Sequence, residues 1–320
     1  MRQPGDVNGL DTFPKMQLGS WPTPVVLLDE VSEQTGVEVW AKLDEECGAW
    51  GGNKLRKLEY IFGEARRDSI SRLVSWGAGT SNWAAALALH GEVEGFTVSL
   101  GLGGHIPEDY AALYEAAGTR TIRLPRLELA PLALAVARVR AGLRARYLPV
   151  GGSGTLGDIG SVHAGTEIAT GVIAGELPRP KRVFVATGSS GTVAGLIVGL
   201  GIGSLAVPVT AVKVSDWPYA TTGMVTRRIS SLLRRLEGGN VRNVVPAPWR
   251  LEPRFLGPGY GKPTNEGRAA MQLAARDGLN LDPTYGAKAF AALLATARSE
   301  REGPYLFLHT SPKRPVGPFT

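Results

Sequence analysis

Two rhythms of apolar and polar residues run along this chain. Short apolar runs bounded by glycine, proline or charged residues predict strands at Val37–Lys42, Arg72–Trp76, Phe96–Leu100, Thr119–Leu124, Arg182–Ala186, Val207–Val214 and Tyr305–Leu308, and a further apolar run covers Thr23–Leu28. Between them, apolar residues recur at three- and four-residue spacing. In the segment opened by Lys54, residues Leu55, Leu58, Ile61 and Phe62 form one such stripe. The same reading predicts helices over Trp83–His90, Asp109–Ala117, Leu127–Arg146, Val162–Ala174, the stretch up to about Leu200, Met224–Leu236, Asn265–Asp277 and Tyr285–Glu300. Pro178 and Pro180 stop the helix over Val162–Ala174. The first twenty residues read as irregular, and Gly151–Gly160 and Asn240–Lys262 read as loops. Strands alternating with helices in this way imply parallel βαβ units and an α/β fold.

Composition narrows the picture. The 320 residues suffice for two domains or one large α/β domain, and 43% hydrophobic with 20% charged residues fits a soluble globular chain. The net charge is +6. Arg227, Arg228, Arg234 and Arg235 cluster on one predicted helix with no aromatic residue between them, so a solvated face is favoured over nucleic-acid binding. A modest positive field favours an anionic substrate or cofactor. Cys47 is the single cysteine, which excludes an intramolecular disulfide, and the four histidines have no metal-ligand spacing. Met1–Lys15 is polar, with no signal-peptide character, and no apolar run reaches a membrane span, so a cytoplasmic protein without a membrane segment is expected.

Lys54 stands out by its place. Gly51 and Gly52 break the chain, and Lys54 then falls in the first turn of a helix, whose partial positive charge disfavours a cation. That position and desolvation both depress an amine pKa, and a neutral amine is what Schiff-base chemistry needs. The plainer reading is a solvated lysine beside Arg56 and Lys57. A second signal lies at Val183–Gly195, a strand, a glycine-rich turn and a helix. Such a turn aims backbone N–H groups at one spot, and Thr187, Ser189, Ser190 and Thr192 add hydroxyls. The lysine and spacing of a nucleotide P-loop are absent, and glycines at 188, 191 and 195 miss the dinucleotide spacing, although Asp216 follows the next strand where a ribose-binding acid might sit. A monophosphate held without metal fits best; a plain β–α turn is the alternative.

Five blocks, in order, resemble the signatures of the 1-aminocyclopropane-1-carboxylate deaminase / D-cysteine desulfhydrase family. They are Gly51-Gly52-Asn53-Lys54-Leu55-Arg56-Lys57-Leu58-Glu59, Thr80-Ser81-Asn82, Thr187-Gly188-Ser189-Ser190-Gly191-Thr192, Gly257-Pro258-Gly259-Tyr260-Gly261-Lys262-Pro263 and Leu281-Asp282-Pro283-Thr284-Tyr285. The resemblance spans about Thr23 to Thr310. It implies the fold-type II, tryptophan-synthase-β-like architecture: two three-layer αβα domains, a large one from residues 1–52 and 168–320 and a small inserted one from 53–167. It implies pyridoxal 5'-phosphate as cofactor, a small amino acid as substrate and a homodimer. Lys54 would carry the cofactor as a Schiff base and shuttle protons. Lys57 and the loop Thr187, Gly188, Ser189, Ser190, Gly191 and Thr192 would hold the phosphate. Asn82 would bond the phenolic oxygen, Thr310 would approach the pyridine nitrogen, and Ser81 would sit beside the substrate carboxylate. Tyr260 and Tyr285 would face the substrate as acid/base groups. The plainer readings make Ser81 a helix cap, Tyr260 a packed loop aromatic and Tyr285 a helix opener.

Four departures fall around the substrate, one of them Thr80, where the resembled family usually has glutamine. Gly286 stands where the resembled cyclopropane-opening enzymes place a glutamate, which argues against ring opening. Trp83 follows Asn82, where it either reshapes the pocket or packs into the core. Ser311-Pro312 replaces a glycine pair. The expected reaction is α,β-elimination on a small amino acid, perhaps a D-amino acid such as D-cysteine, with β-replacement as the alternative. A nicotinamide-dependent oxidoreductase built on Val183–Asp216 and a non-catalytic cofactor-binding protein are the readings from other classes.

Overall fold

The computed structural model describes residues 9–142, 144–216 and 218–313. In chain order the strands are β1 (Val25–Leu27), β2 (Val39–Leu43), β3 (Arg72–Ala78), β4 (Thr97–Gly103), β5 (Arg120–Leu124), β6 (Arg146–Tyr147), β7 (Arg182–Thr187), β8 (Val209–Lys213), β9 (Trp249–Glu252) and β10 (Tyr305–His309). The helices are α1 (Asp29–Thr35), α2 (Gly52–Arg67), α3 (Asn82–Val93), α4 (Glu108–Ala116), α5 (Ala130–Ala141), α6 (Gly157–Ala174), α7 (Gly191–Ile202), α8 (Thr222–Glu237), α9 (Asn265–Ala274) and α10 (Gly286–Glu300).

Two sheets organise these elements. The six-stranded sheet has the order β1-β2-β10-β7-β8-β9 and is parallel except for β1. The four-stranded sheet has the order β5-β4-β3-β6 and is parallel throughout. Each is buried on both faces, as parallel sheets require. Along β7, Val183 and Val185 pack with α6, α7 and α8, while Phe184 points to the other side and packs with α9 and α10. In the smaller sheet, Leu73, Leu100 and Leu102 pack with α2, α3 and α4, and Val74 packs with Ala137 and Ala141 of α5.

Several boundaries differ from the pattern-based expectation. The stretch Gly151–Gly160 is not all loop, because α6 begins at Gly157. Its glycines are there for contact: a Cβ on Gly160 would collide with the Arg56 carbonyl, and one on Gly165 would lie 2.5 Å from the Leu196 carbonyl oxygen. The long helix expected over Leu127–Arg146 stops at Ala141, where Gly142 takes φ 85°, and the chain then adds β6. The stretch Asn240–Lys262 contains β9, an edge strand paired on one side only. The short helix α1 was not expected. Of the first twenty residues, 1–8 lie outside the described residues, and Leu10–Thr12 form a 3-10 turn. No helix among the described residues is long and apolar enough to cross a membrane.

Candidate active site

The C-terminal ends of β3, β7, β8 and β10 converge with the N-termini of α2, α3 and α7 on one cavity of about 280 Å³. Parallel strands place their loops, and the positive ends of the following helices, at this edge. Lys54, Ser81, Asn82, Tyr260, Tyr285 and Thr310 all line the cavity. So do Thr187, Gly188, Ser189, Ser190 and Thr192. Lys57 and Gly191 lie directly beneath the loop: Lys57 is fully buried, and a Cβ on Gly191 would stand 2.7 Å from Lys57 Nζ.

Lys54 is in the first turn of α2, whose N-cap Gly51 offers no side-chain cap. Its Nζ donates to Asn53 Oδ1 at 2.9 Å, and Asn53 Nδ2 donates to Thr192 Oγ1 at 2.8 Å. The amine is therefore tied to the end of the glycine-rich loop. Burial first, and then the charge of Lys57, lowers the Lys54 pKa to about 7, against an opposing pull from Asp282. The lysine is half-buried and lines the cavity.

The loop after β7 is shaped as an anion cradle. Ser190 takes the left-handed conformation (φ 66°) as N-cap of α7, and its Oγ donates to the Tyr219 carbonyl at 2.7 Å. The Gly188 carbonyl accepts from Ser215 Oγ at 3.0 Å. Lys57 Nζ donates to Ser153 Oγ at 2.7 Å, and Ser153 Oγ is 2.6 Å from Ser189 Oγ. Behind Lys57, Asp158 Oδ1 lies at 3.6 Å, and Arg228 Nη1 donates to Asp158 Oδ2 at 3.2 Å. Burial lowers the Lys57 pKa to about 8, with Asp158 opposing and Arg228 adding to the depression. Ser153, Asp158 and Asn53 are the functional candidates that sequence reasoning missed as individuals. Ser153 and Asp158 lie in the stretch read as a glycine loop.

Across the cavity, Tyr260 Oη and Tyr285 Oη share a hydrogen bond of 2.6 Å. Burial raises both phenol pKa values, that of Tyr285 further because Tyr260 also opposes its ionisation. Asp282 builds this wall: its Oδ1 accepts from Tyr285 N at 2.7 Å, and its Oδ2 accepts from Gly286 N at 3.0 Å and Ser311 Oγ at 2.5 Å. Lys288, one turn after Tyr285, is fully buried and donates to the carbonyls of Leu256 at 2.8 Å and Gly259 at 2.9 Å. Asp216 Oδ2 accepts from Tyr260 N at 3.0 Å. Asp216 thus anchors the tyrosine loop from the cavity wall. Tyr260 and Tyr285 are cavity-lining, beyond any packing role.

Ser81 caps α3, its Oγ accepting from Ala84 N at 3.3 Å, and faces the cavity at the same time. Asn82 Oδ1 accepts from Tyr110 Oη at 3.0 Å, which leaves its amide nitrogen to donate. Trp83 is 1% exposed, donates to Ser75 Oγ at 2.8 Å and packs its ring against Gly152, with one edge on the cavity wall. Trp83 is thus packed into the core while part of it lines the cavity.

Comparison with known proteins agrees with this geometry. The model of a family described as pyridoxal-phosphate dependent enzyme matches residues 16–311. The D-cysteine desulfhydrase of Klebsiella pneumoniae (strain 342) is 33% identical over 327 residues, covering 95% of each chain. That of Salmonella paratyphi C (strain RKS4594) is 33% identical over 321 residues, covering 94% of each. Among solved structures, an ACC deaminase homologue superposes with a TM-score of 0.83 at 29% identity, covering 97% of this chain and 95% of its own. A fungal L-serine ammonia-lyase from Rhizomucor miehei, at 17% identity and a TM-score of 0.66, covers 93% of this chain and 95% of its own and shares the fold.

The residues fit that cofactor. A lysine amine that is half neutral near pH 7 faces the cavity. Thr187 Oγ1 is buried with no hydrogen-bond partner among the described residues, at a loop shaped for a phosphate. A Cβ on Gly191 would crowd Asp158, Ser153 and Lys57 together, so only glycine keeps the cradle open. The nicotinamide reading of Val183–Asp216 falls, since the family matched over residues 16–311 is pyridoxal-phosphate dependent and the turn opens onto the cavity that holds Lys54.

Proposed function

We propose that this chain, which belongs to the pyridoxal-phosphate dependent enzyme family, is a lyase catalysing α,β-elimination on a small amino acid. The observation that carries the reading is one cavity holding a lysine with a pKa of about 7 opposite a hydrogen-bonded pair of protonated phenols. When bound, pyridoxal 5'-phosphate delocalises the negative charge that develops at the substrate α-carbon. The protein does the rest. Lys57, with Ser153, Ser189 and the N–H groups opening α7, holds the phosphate. The N-terminus of α3, with Ser81, receives the substrate carboxylate, and Asn82 donates its amide to the cofactor. Lys54 takes the α-proton, a task for a neutral amine. The Tyr260–Tyr285 pair, kept protonated by burial, gives a proton to the departing β-substituent. Thr310 lines the cavity and would approach the pyridine nitrogen, while the Ser311 hydroxyl is held by Asp282 and Gly286 brings no carboxylate.

D-Cysteine is the substrate we favour, supported by the two bacterial relatives, which are D-cysteine desulfhydrases. The balance is cysteine plus water giving hydrogen sulfide, pyruvate and ammonium. The same reading divides the chain into a small domain, 53–167, and a large one, 1–52 with 168–320, and expects a cytoplasmic homodimer; the dimer rests on the family resemblance, and sedimentation equilibrium tests it. The direct test is the visible absorption of purified protein, wild type and Lys54→Ala, during titration with D- and L-amino acids while sulfide, ammonia and keto acid are assayed. The wild-type band should shift with one amino acid and release all three products, and Lys54→Ala should release none. A wild-type band that no amino acid converts to keto acid would sink the lyase reading.

A further inference from the structure

Asp216, in the turn after β8, has one task so far: its Oδ2 accepts from Tyr260 N at 3.0 Å. It lines the cavity and is exposed, so it stands at the open end. Tyr219 N donates to the Asp216 carbonyl at 3.3 Å, which puts both residues on one turn. Tyr219 lines the cavity, as does Trp76 of β3, and both side chains are half-exposed. Trp76 Nε1 donates to Tyr147 Oη at 3.3 Å. Burial first, and then the charge of Tyr147, raises the Tyr219 pKa, so Tyr147 and Tyr219 are neighbours. The mouth of the cavity therefore carries aromatic rings from both sheets and one carboxylate.

We infer that Asp216, Tyr219 and Trp76 form a subsite for a cationic group on the substrate's β-substituent, which extends the substrate class from free cysteine to thioethers that end in an ammonium. The inference rests on the elimination reading above and specifies its leaving group. A carboxylate beside aromatic faces is the combination that attracts an ammonium, through charge and through the negative faces of the rings.

The cations of the site are committed elsewhere. Lys54 is the other charged residue lining the cavity among the described residues, and its Nζ donates to Asn53 on the side of the glycine-rich loop. Lys288 is near enough for the charge of Asp216 to act on it, but its Nζ donates to the carbonyls of Leu256 and Gly259. Asp216 gives Oδ2 to the Tyr260 amide, and Oδ1 is left to accept. That amide also ties the carboxylate to the residue whose phenol faces the leaving group. Free cysteine leaves this subsite unfilled, and a substituent ending in an anion is repelled by it.

The chemistry is the same elimination with a longer leaving group. The Cβ–S bond breaks with its electron pair on sulfur, and the sulfur takes the proton given by the tyrosine pair. S-(2-aminoethyl)cysteine plus water gives 2-aminoethanethiol, pyruvate and ammonium.

The test uses holoenzyme with the S-(2-aminoethyl), S-propyl and S-carboxymethyl thioethers of D- and L-cysteine, whose ends are positive, neutral and negative. Keto acid reports turnover, and the shift of the visible band reports occupancy. The ammonium compound should exceed the propyl compound about tenfold in kcat/KM and in apparent affinity, the scale of one hydrogen bond to a charged group. The carboxymethyl compound should be the weakest. Asp216→Asn removes the charge and keeps an acceptor for Tyr260 N, so the ammonium-to-propyl ratio should fall to about one. Tyr219→Leu should lower the ratio too, and the bond from Ser190 survives because it goes to the Tyr219 carbonyl. An ammonium-to-propyl ratio of about one in the wild type, or a ratio that Asp216→Asn leaves unchanged, overturns the inference, while turnover of cysteine keeps the lyase reading. Keto acid from none of the compounds, cysteine included, sinks the lyase reading instead, and the occupancy ratio still decides the subsite.

Discussion

Lys54 has its amine pKa lowered to about 7 by burial and by Lys57, and this sets how the protein takes up its cofactor. Only the neutral amine attacks an aldehyde. With a pKa of about 7, the reactive fraction at pH 6 is about a tenth of that at pH 8. Stopped-flow mixing of apo-protein with pyridoxal phosphate should show uptake rising about tenfold across this window and levelling above it. A rate still climbing steeply between pH 9 and 10 would mean an ordinary lysine. The stability linkage has a definite sign. The folded pKa lies below the ordinary value of 10.5, so between about pH 7 and 10.5 the unfolded chain binds more protons, and apo-protein stability gains from this residue as pH rises. Lys54→Met should flatten that part of the melting profile. Gly191 gives a second prediction at this scale. In Gly191→Ala the new methyl would stand 2.5 Å from Ser153 Oγ and 2.7 Å from Lys57 Nζ, and closer still to Asp158. Cofactor affinity should fall by at least tenfold with a small loss of melting temperature, as read by spectral titration; retained affinity would show that the loop yields. Lys54, Lys57 and the loop 187–192 were legible because each is local in sequence. Ser153, Asp158 and the Asn53–Thr192 bond were not, because they join residues far apart in the chain through space.

At the scale of elements, periodicity located the buried strands and the amphipathic helices and failed where glycine and proline serve packing. The start of α6 looked like a loop because it is rich in glycine, yet Gly160 and Gly165 let α6 lie against α2 and α7 at backbone contact. Strand β9 was lost among prolines that an edge position tolerates. The same limit hid Lys288, which reads as one more charge in an amphipathic helix. In the fold it sits on α10 three residues after Tyr285 and holds the carbonyls of Leu256 and Gly259. It therefore fixes the glycine-rich loop that brings Tyr260 to Tyr285. Lys288→Met should leave cofactor binding unchanged, since Lys288 does not line the cavity, and lower kcat about tenfold through misplacement of one phenol. The check that separates positioning from a loss of folding is the ultraviolet titration of tyrosine. Burial first, and then the charge and hydrogen bond of Tyr260, raise the Tyr285 pKa, so parting the pair should let Tyr285 ionise at lower pH while the melting curve changes little.

At the scale of the whole molecule, the cavity belongs to both sheets at once. The four-stranded sheet contributes the end of β3 and the start of α3, and the six-stranded sheet contributes the turns after β7, β8 and β10. The helix α2 joins them, its first turn carrying Lys54 and its buried Arg56 paired with Asp44 at 2.7 Å and Glu167 at 2.7 Å. A ligand that contacts every wall stabilises the closed arrangement in proportion to its occupancy. Loading with pyridoxal phosphate should therefore slow amide hydrogen exchange at three separated places together: the first turns of α2, α3 and α7. The exposed face of α5, where Val139 is 82% open to solvent, and α9 have no contact with the cavity and should be unchanged. Protection confined to α7 would mean that the phosphate binds without drawing the smaller sheet in, and the amino-acid carboxylate would then have to complete the site on the α3 side. Protection at all three turns before any substrate arrives would mean that the cofactor alone assembles the pocket, leaving the substrate's binding free energy for chemistry at Lys54 and the tyrosine pair.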